Sequence, residues 1–238
     1  MNEYLKEKPG QLIIIGGGTS IREGIDKNLW NKLEGKFTIG TNYSFNYHIS
    51  TILCYLDNKF FQEQKENLQT LPLIITKDHK NNQLSNNIMM KLNNKGSRNL
   101  NNGVYKGSLT GIFALSLAVY LLDEGEIFLL GYDYGASGYN TAQDGKTKHA
   151  ITHFYQGKLH HRGVGKVNYY NTKDRAKRDF EPFEKEKKIK IYNVSMASNI
   201  PTFPKISYEE FFQKLDDKKF CQSYLRAYTR VMLSKVVK

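Results

Sequence analysis

The sequence predicts an α/β protein of Rossmann-like type, in which a mostly parallel sheet carries helices on both faces. Six short apolar runs alternate with stretches whose apolar residues recur every three or four positions, as strands and helices do in successive βαβ units. The first run, Gln11–Ile15, leads directly into a glycine-rich turn. Such continuous apolarity is typical of strands that are buried on both faces, so a parallel sheet is expected.

The predicted elements follow one another along most of the chain. The predicted strands are Gln11–Ile15, 37–40, 51–56, 73–76, 127–131 and Ile189–Val194. The predicted helices are 25–33, 109–122, 173–187 and 208–215. We interpret this arrangement as a nucleotide-binding α/β domain over residues 1–200, followed by a basic helical extension over 201–238.

Two long segments lie between predicted elements. Residues 81–103 hold nine asparagines and few β-branched residues, which predicts a loop or a loosely folded insertion. Residues 132–171 are rich in glycine, tyrosine, histidine and lysine. Irregular segments of this length are usually disordered or functional, and the side chains of the second one favour a functional loop.

Composition limits the class of protein. The chain has 238 residues, a formal net charge of +12 and two distant cysteines, Cys54 and Cys221, whose spacing argues against zinc ribbons, redox dithiols and disulfide-stapled scaffolds. No apolar run reaches the ~20 residues that a membrane span requires, and the polar start is unlike a secretory signal, so a cytoplasmic location is expected. The basic surplus favours anionic partners, or it reflects a lysine- and asparagine-rich coding bias.

The last 21 residues, 218–238, contain six basic residues and no acidic one. Their apolar residues fall on one helical face: Phe220, Tyr224, Tyr228, Val231 and Met232. Two interpretations follow: a terminal helix docked on the core, or a contact with a partner or with an anionic membrane at the inner membrane face.

The glycine-rich turn after the first strand predicts a phosphate site. It consists of Gly16, Gly17, Gly18, Thr19 and Ser20. Glycines let a phosphate approach backbone N–H groups, and the start of the following helix attracts anions. Ser20 and Glu23 fit a capping box, and Gly24 is expected to end or kink the helix soon afterwards. The dinucleotide and P-loop patterns both fail here, and a simple tight turn is the alternative interpretation.

The loop 132–171 gathers chemistry-bearing side chains. Four of the six histidines lie in it: His149, His153, His160 and His161. They suit proton transfer near neutral pH, or they belong to an ordinary solvated loop. His149 and His153 would match a metal pair only if that piece were helical. Asp133, at a predicted strand end, either binds a ribose or sugar hydroxyl or caps the next turn.

Several motifs occur in an order that resembles the Campylobacter-type bacterial sialyltransferases and the related pyrophosphokinase-like proteins that act on hydroxymethylpterin. The motifs are Gly16–Ser20, Thr41-Asn42-Tyr43, Thr110-Gly111, Gly131-Tyr132-Asp133-Tyr134, Ile189-Lys190-Ile191-Tyr192 and the serine-bearing segment 195–198. The turn departs from both families at Thr19, where they usually have proline. The segment 81–103 has no counterpart in the resemblance.

The resemblance implies a site and a reaction. Nucleotide-binding residues would be Gly16, Gly17, Gly18, Thr19, Ser20, Asn42, Thr110, Gly111 and Asp133, with Tyr134 and Tyr139 on the donor phosphate. The catalytic base would be His161 or His160. The implied activity is metal-independent, nucleotide-sugar-dependent glycosyl transfer without a tightly bound cofactor.

Two other functions stay open at this stage. One is a Mg²⁺-dependent pyrophosphokinase-like enzyme of the pterin type, which shares the phosphate turn but needs a metal ion. The other is a protein that binds or modifies nucleic acid, which the charge permits although no nucleic-acid module is recognisable. The expected partner is a nucleotide-sugar donor, and the acceptor is a glycan, a lipid-linked glycan or a nucleic acid.

Overall fold

Seven strands, all paired in parallel, form the central sheet of the computed structural model. The structure describes residues 7–77, 84–90, 109–134, 153–155 and 176–234, and the backbone alone of 141–143, 148–150 and 173–175. The strands are β1 (Gln11–Ile15), β2 (Thr38–Thr41), β3 (Ile52–Tyr55), β4 (Ile74–Lys77), β5 (Asn87–Met90), β6 (Gly125–Leu130) and β9 (Ile189–Val194). A separate antiparallel pair consists of β7 (Thr141–Gln143) and β8 (Lys148–Ala150).

Helices cover both faces of the sheet. They are α1 (Ile21–Asp26), α2 (Leu29–Lys32), α3 (Asn58–Gln69), α4 (Thr110–Leu122), α5 (Lys173–Phe180), α6 (Tyr208–Lys214) and α7 (Gln222–Leu233). Alternate residues of β1 point to opposite faces: Leu12 and Ile14 join the core with α4 and α7, while Ile13 and Ile15 join the core with α1, α2 and α6. The predicted α/β, Rossmann-like fold is therefore confirmed.

The strand order is β5-β4-β3-β2-β1-β6-β9. It runs in one direction from β1 through β2 to β5 and in the other from β1 to β6 and β9. The order thus reverses between β1 and β6, and open α/β sheets bind their ligands outside the carboxyl ends of the strands at such a point. The loops that follow β1 and β6 are consequently where a site is expected.

Several predicted element boundaries were wrong for local reasons. The predicted helix 25–33 is two helices, because Asn28 takes a left-handed backbone (φ 64°) between α1 and α2. Gly24 does not end α1 but lies inside it, packed against the Tyr208 ring. The predicted helix 173–187 ends as α-helix at Phe180, and a 3-10 turn containing Pro182 follows, since proline lacks the N–H that an α-helix needs.

Both predicted irregular segments contain strands. Within 81–103, residues Asn87–Met90 form β5 and pair with β4, so this segment is in part an edge of the sheet. Within 132–171, the hairpin of β7 and β8 interrupts the predicted loop. The sequence analysis also missed α3, whose polar surface carries only a narrow apolar stripe of Phe60, Phe61 and Leu68.

Residues after 201 belong to the same packed structure. α6 contributes Tyr208 and Phe211 to one core, and α7 contributes Leu225 and Tyr228 to the other. The Tyr228 hydroxyl donates to the Leu121 carbonyl of α4 at 2.8 Å. The docked-helix interpretation is confirmed, and a membrane contact through the basic residues stays a prediction. No described helix is long and apolar enough to cross a membrane.

The segment 214–222 fastens the amino ends of three neighbouring strands, an arrangement that we name the amino-edge clasp. Gln11, the first residue of β1, donates to the Lys214 carbonyl at 2.8 Å and accepts from the Asp216 N–H at 3.0 Å. The buried Lys36 ammonium, just before β2, lies 3.0 Å from the Asp216 carboxylate and donates to the Lys218 carbonyl at 2.8 Å. Gln222 accepts from the Thr51 hydroxyl, before β3, at 2.7 Å.

Candidate functional site

The glycine-rich turn and the loop after β6 are packed directly against each other. Gly16 donates its N–H to the Leu130 carbonyl at 2.7 Å, and Gly18 donates to the Gly131 carbonyl at 2.8 Å. A Cβ at Gly16 would lie 2.8 Å from the Gly131 oxygen, and one at Gly18 would lie 2.6 Å from the Asp133 carboxylate. Gly16 and Gly18 are therefore required by the contact between the two loops, independently of any ligand.

Asp133 links three loops at the carboxyl edge of the sheet. Asp133 is 3% exposed, and its carboxylate accepts hydrogen bonds from the Ser20 N–H at 2.9 Å and from the Ser195 hydroxyl at 2.9 Å. The Ser20 hydroxyl also donates to it, and the Thr19 hydroxyl lies 3.4 Å away. Asp133 thus caps the start of α1, which precedes it by more than a hundred residues, and not the turn that follows it as predicted. Its predicted contact with a ribose or sugar hydroxyl stays a prediction.

This arrangement changes the interpretation of the glycine-rich turn. The predicted capping box between Ser20 and Glu23 is not formed, since the Ser20 hydroxyl donates to Asp133 instead. The anion position at the start of α1 is already filled by the protein's own carboxylate. A phosphate would meet the Asp133 charge at that position, so the N-terminus of α1 is a poor phosphate site in this conformation.

Gly17 faces a short segment of the loop that follows β8. The Phe154 N–H donates to the Gly17 carbonyl at 2.9 Å, and the Arg22 guanidinium donates to the Phe154 carbonyl at 3.3 Å. The His153 ring stacks on the Tyr155 ring with their centroids 5.0 Å apart. Burial raises the pKa of Tyr155, so its hydroxyl stays protonated at neutral pH. The sequence presented His153 only as one of four loop histidines and as a possible metal partner of His149, whereas the structure places its ring against the turn.

The turn gives a direct test at Gly17. A Cβ there would lie 2.6 Å from His153 Cδ2 and 3.3 Å from the Tyr155 hydroxyl. Gly17→Val is expected to abolish nucleotide binding, at a cost of about 1–3 kcal/mol in the free energy of unfolding from overpacking. Calorimetric titration and denaturant unfolding measure the two effects. Gly10→Ala is the matched control, because nothing lies within 4 Å of its added Cβ.

A double variant separates packing from ligand approach. If Gly17 is needed only to make room for the imidazole, Gly17→Val with His153→Ala recovers both stability and nucleotide binding. If a phosphate approaches Gly17, the double variant recovers stability alone. A folded Gly17→Val protein with unchanged nucleotide affinity counts against a phosphate at this turn.

A second group of predicted site residues lies beside the loop that follows β6: Asn42, Thr110 and Gly111. Asn42 follows β2 with a left-handed backbone (φ 49°), and its side-chain oxygen is 3.4 Å from the Thr110 hydroxyl. Tyr132, in the loop after β6, donates its hydroxyl to the Gly111 carbonyl at 2.8 Å. Thr110 and Gly111 begin α4, whose 13 residues start after Leu109 without a side-chain cap. The first N–H groups of such a helix attract anions.

Tyr134 has a strained backbone, and its hydroxyl already takes part in a hydrogen bond. Its φ of 52° is rare for an aromatic residue, and strain of this kind clusters at functional sites. The hydroxyl donates to Asp179 at the end of α5, with an oxygen separation of 2.5 Å. As placed, Tyr134 faces Asp179 and would have to release it in order to donate to a phosphate. Tyr139, His160 and His161 lie outside the described residues.

Serine and asparagine residues around the end of β9 hold the loop after β6 in place. The Ser198 hydroxyl donates to the Tyr132 carbonyl at 2.7 Å, and Asn193 donates to the same carbonyl at 3.2 Å. The Asn199 N–H donates to the Asp133 carbonyl at 3.0 Å. The serine-bearing segment noticed in the sequence and its neighbours thus hold the backbone around Asp133 in place through hydrogen bonds, a role that the motif did not reveal.

The described residues give no support for a metal pair. No group of three or more His, Cys, Asp or Glu side chains among them could hold an ion. His149 lies in β8, a strand, whereas the predicted pairing of His149 with His153 required a helix.

No protein-family model and no curated protein matches the chain in sequence. Among solved structures, its fold is similar to that of the MAf glycosyltransferase from Magnetospirillum magneticum AMB-1, with a TM-score of 0.51 and 12% sequence identity. The match covers 98% of this chain and 38% of the MAf protein, so the chain spans much less than half of that protein's length. The chain thus has an α/β, Rossmann-like fold that it shares with a glycosyltransferase.

Proposed function

We propose that the protein is a nucleotide-sugar-dependent glycosyltransferase. The observation that carries the proposal is the meeting of the glycine-rich turn, Asn42, Thr110-Gly111 and the loop after β6 at the reversal of strand order. This is the part of an open α/β sheet that receives ligands. The similarity in fold to a glycosyltransferase supports the same function.

The donor phosphate is proposed to bind at the start of α4 rather than at the start of α1. α4 is long, begins without a side-chain cap and presents Thr110 and Gly111 beside the Asn42 amide. α1 is short, and Asp133 fills its N-terminal position. The Gly17 backbone would then border the nucleoside or sugar part of the donor, and Tyr134 or Tyr139 would add a hydroxyl to the phosphate.

The proposed reaction replaces one bond at the anomeric carbon by another. The bond from that carbon to the donor phosphate oxygen breaks, and a bond to the acceptor hydroxyl oxygen forms. The acceptor proton passes to a histidine of the loop 132–171, with His161 and His160 as the candidates from the sialyltransferase resemblance. The N–H groups of α4 and tyrosine hydroxyls stabilise the charge on the departing phosphate without a metal ion.

The function is tested by thermal unfolding with nucleotides and nucleotide sugars, each with and without Mg²⁺. A bound ligand at about 100-fold excess over its Kd stabilises the folded state by about 2.7 kcal/mol, which is a clear shift in Tm. We expect stabilisation by nucleotide sugars without Mg²⁺ and its loss in Asn42→Ala. The exposed Asn46→Ala, four residues along the same turn, is the matched control. Stabilisation by ATP only with Mg²⁺ would favour pyrophosphoryl transfer, and no stabilisation by any nucleotide contradicts the proposal.

A further inference from the structure

An aromatic patch lies beside the glycine-rich turn, composed of Trp30, Tyr47, His48 and Phe154. The indole of Trp30, the sole tryptophan of the chain, stacks on the His48 ring with centroids 5.6 Å apart and planes at 13°. Phe154 lies 6.5 Å from Trp30 and 4.9 Å from Tyr47, centroid to centroid. The patch thus joins α2, the turn after β2 and the segment 153–155.

The patch is anchored to the candidate site through its main chain. Phe154 is the residue whose N–H binds the Gly17 carbonyl at 2.9 Å and whose carbonyl accepts from Arg22. A molecule lying on the patch would therefore extend toward Gly17, where the sugar part of a donor is proposed to lie. An acceptor held on the patch would therefore lie next to the proposed position of the donor sugar.

The chemistry of the patch suits a neutral, hydroxyl-rich ring. Trp30, Tyr47 and His48 are partly exposed, and the neighbouring Ile49 is 57% exposed. The exposed residues Asn28 and Asn31 lie within two positions of Trp30 along the chain. Burial lowers the pKa of His48, so this imidazole is neutral at neutral pH. The Trp30 N–H donates to no residue that the structure describes.

We propose that the aromatic patch binds a sugar ring of the acceptor, an inference that rests on the proposed glycosyl transfer and narrows its acceptor to a glycan. The C–H face of a pyranose packs on aromatic rings, and its hydroxyls bind amides and N–H donors at the rim. Aromatic rings with a few polar groups at their edge are the usual lining of small-molecule sites. A nucleobase also stacks on aromatic rings, and the experiment below separates the two ligands.

Trp30 is the sole tryptophan of the chain, so tryptophan fluorescence reports on binding at the patch. Trp30 emission is recorded while the protein is titrated with neutral mono- and disaccharides that end in galactose, glucose or N-acetylglucosamine, and separately with cytidine and uridine monophosphates. We expect a saturable change with at least one saccharide and none with the nucleotides. An emission change with the nucleotides and none with the saccharides overturns the proposal in favour of base stacking.

Kinetics with the responding saccharide as acceptor complete the test. Trp30→Ala and Ile49→Ser are expected to raise the acceptor KM by about tenfold or more, with kcat and the nucleotide-induced Tm shift little changed. Tyr224→Ala is the matched control, because Tyr224 stacks on Phe220 at the far edge of the protein, on α7. Emission that no saccharide changes, or an unchanged KM in the folded Ile49→Ser protein, overturns the proposal. A saccharide response without any nucleotide-sugar binding instead leaves the patch in place and contradicts the glycosyltransferase function.

Discussion

Asp133→Ala is expected to lower the free energy of unfolding by about 3–5 kcal/mol, because it leaves several buried donors without their charged partner. Asp133 is 3% exposed, and its carboxylate binds groups of Thr19, Ser20 and Ser195, which come from the loops after β1 and β9. Its loss releases the glycine-rich turn and so is expected to abolish nucleotide binding as well. Denaturant unfolding followed by circular dichroism measures the stability.

Two milder variants keep the Asp133 prediction testable if the alanine variant does not fold. Ser195→Ala removes one donor and should cost about 1 kcal/mol. Asp133→Asn keeps the shape but turns amide hydrogens toward the donors, so an intermediate loss is expected. The control is Glu34→Ala, since Glu34 makes only an exposed ion pair with Lys219 at 3.6 Å. A change below 1 kcal/mol in folded Asp133→Ala would contradict the central role of this carboxylate.

His161→Ala is expected to lower the turnover number by roughly 10² to 10⁴, the usual contribution of a positioned general base. An acceptor hydroxyl has a far higher pKa than imidazole, so its proton leaves only as the glycosyl bond forms. A base must be neutral to accept it, and activity should therefore rise with pH through the ordinary histidine range near ~6.5. Steady-state kinetics from pH 5 to 9 measure both the rate and the profile, and nucleotide affinity should change little.

His160→Ala and His153→Ala are the comparison variants for the base. His153 touches Gly17, so its removal is expected to change nucleotide affinity rather than to remove the pH dependence. If His160→Ala and His161→Ala both keep near-full turnover, the sialyltransferase resemblance fails at its base. A rate loss confined to His153→Ala, with the pH dependence gone, would assign proton transfer to the described residue instead.

The sequence predicted the fold where the pattern was local and strong. β1 and β9 were predicted at their observed bounds, because each is a short run with dense β-branched residues, bounded by glycines at β1 and by polar residues at β9. β5 was missed because its Asn87–Met90 lies in an asparagine-rich stretch and becomes a strand only by pairing with β4. The break at Asn28 was missed because a left-handed asparagine leaves little trace in an otherwise helical pattern.

The sequence predicted which strand ends form the candidate site, but not the contacts between their residues. Glycines and an aspartate after buried strands indicated which residues would meet at the carboxyl edge. The sequence did not reveal that Asp133 binds Ser20 and Ser195, because these residues lie 113 and 62 positions away along the chain. His153 was one histidine among four until the Phe154 N–H bond fixed its position over Gly17.

The amino-edge clasp has a consequence for how the protein is made. The ribosome synthesises β1 well before its partner β6, since Gln11 and Glu126 are separated by 115 positions. Until β6 has been made, one side of β1, an interior strand of the finished sheet, has no partner strand, and such an unpaired edge is open to wrong partners. The clasp segment 214–222 emerges later still, because Gln11 binds Asp216 across 205 positions. β1 therefore gains its last partners only after the clasp segment has been made, and we expect the nascent chain to be most prone to wrong strand pairing over that interval.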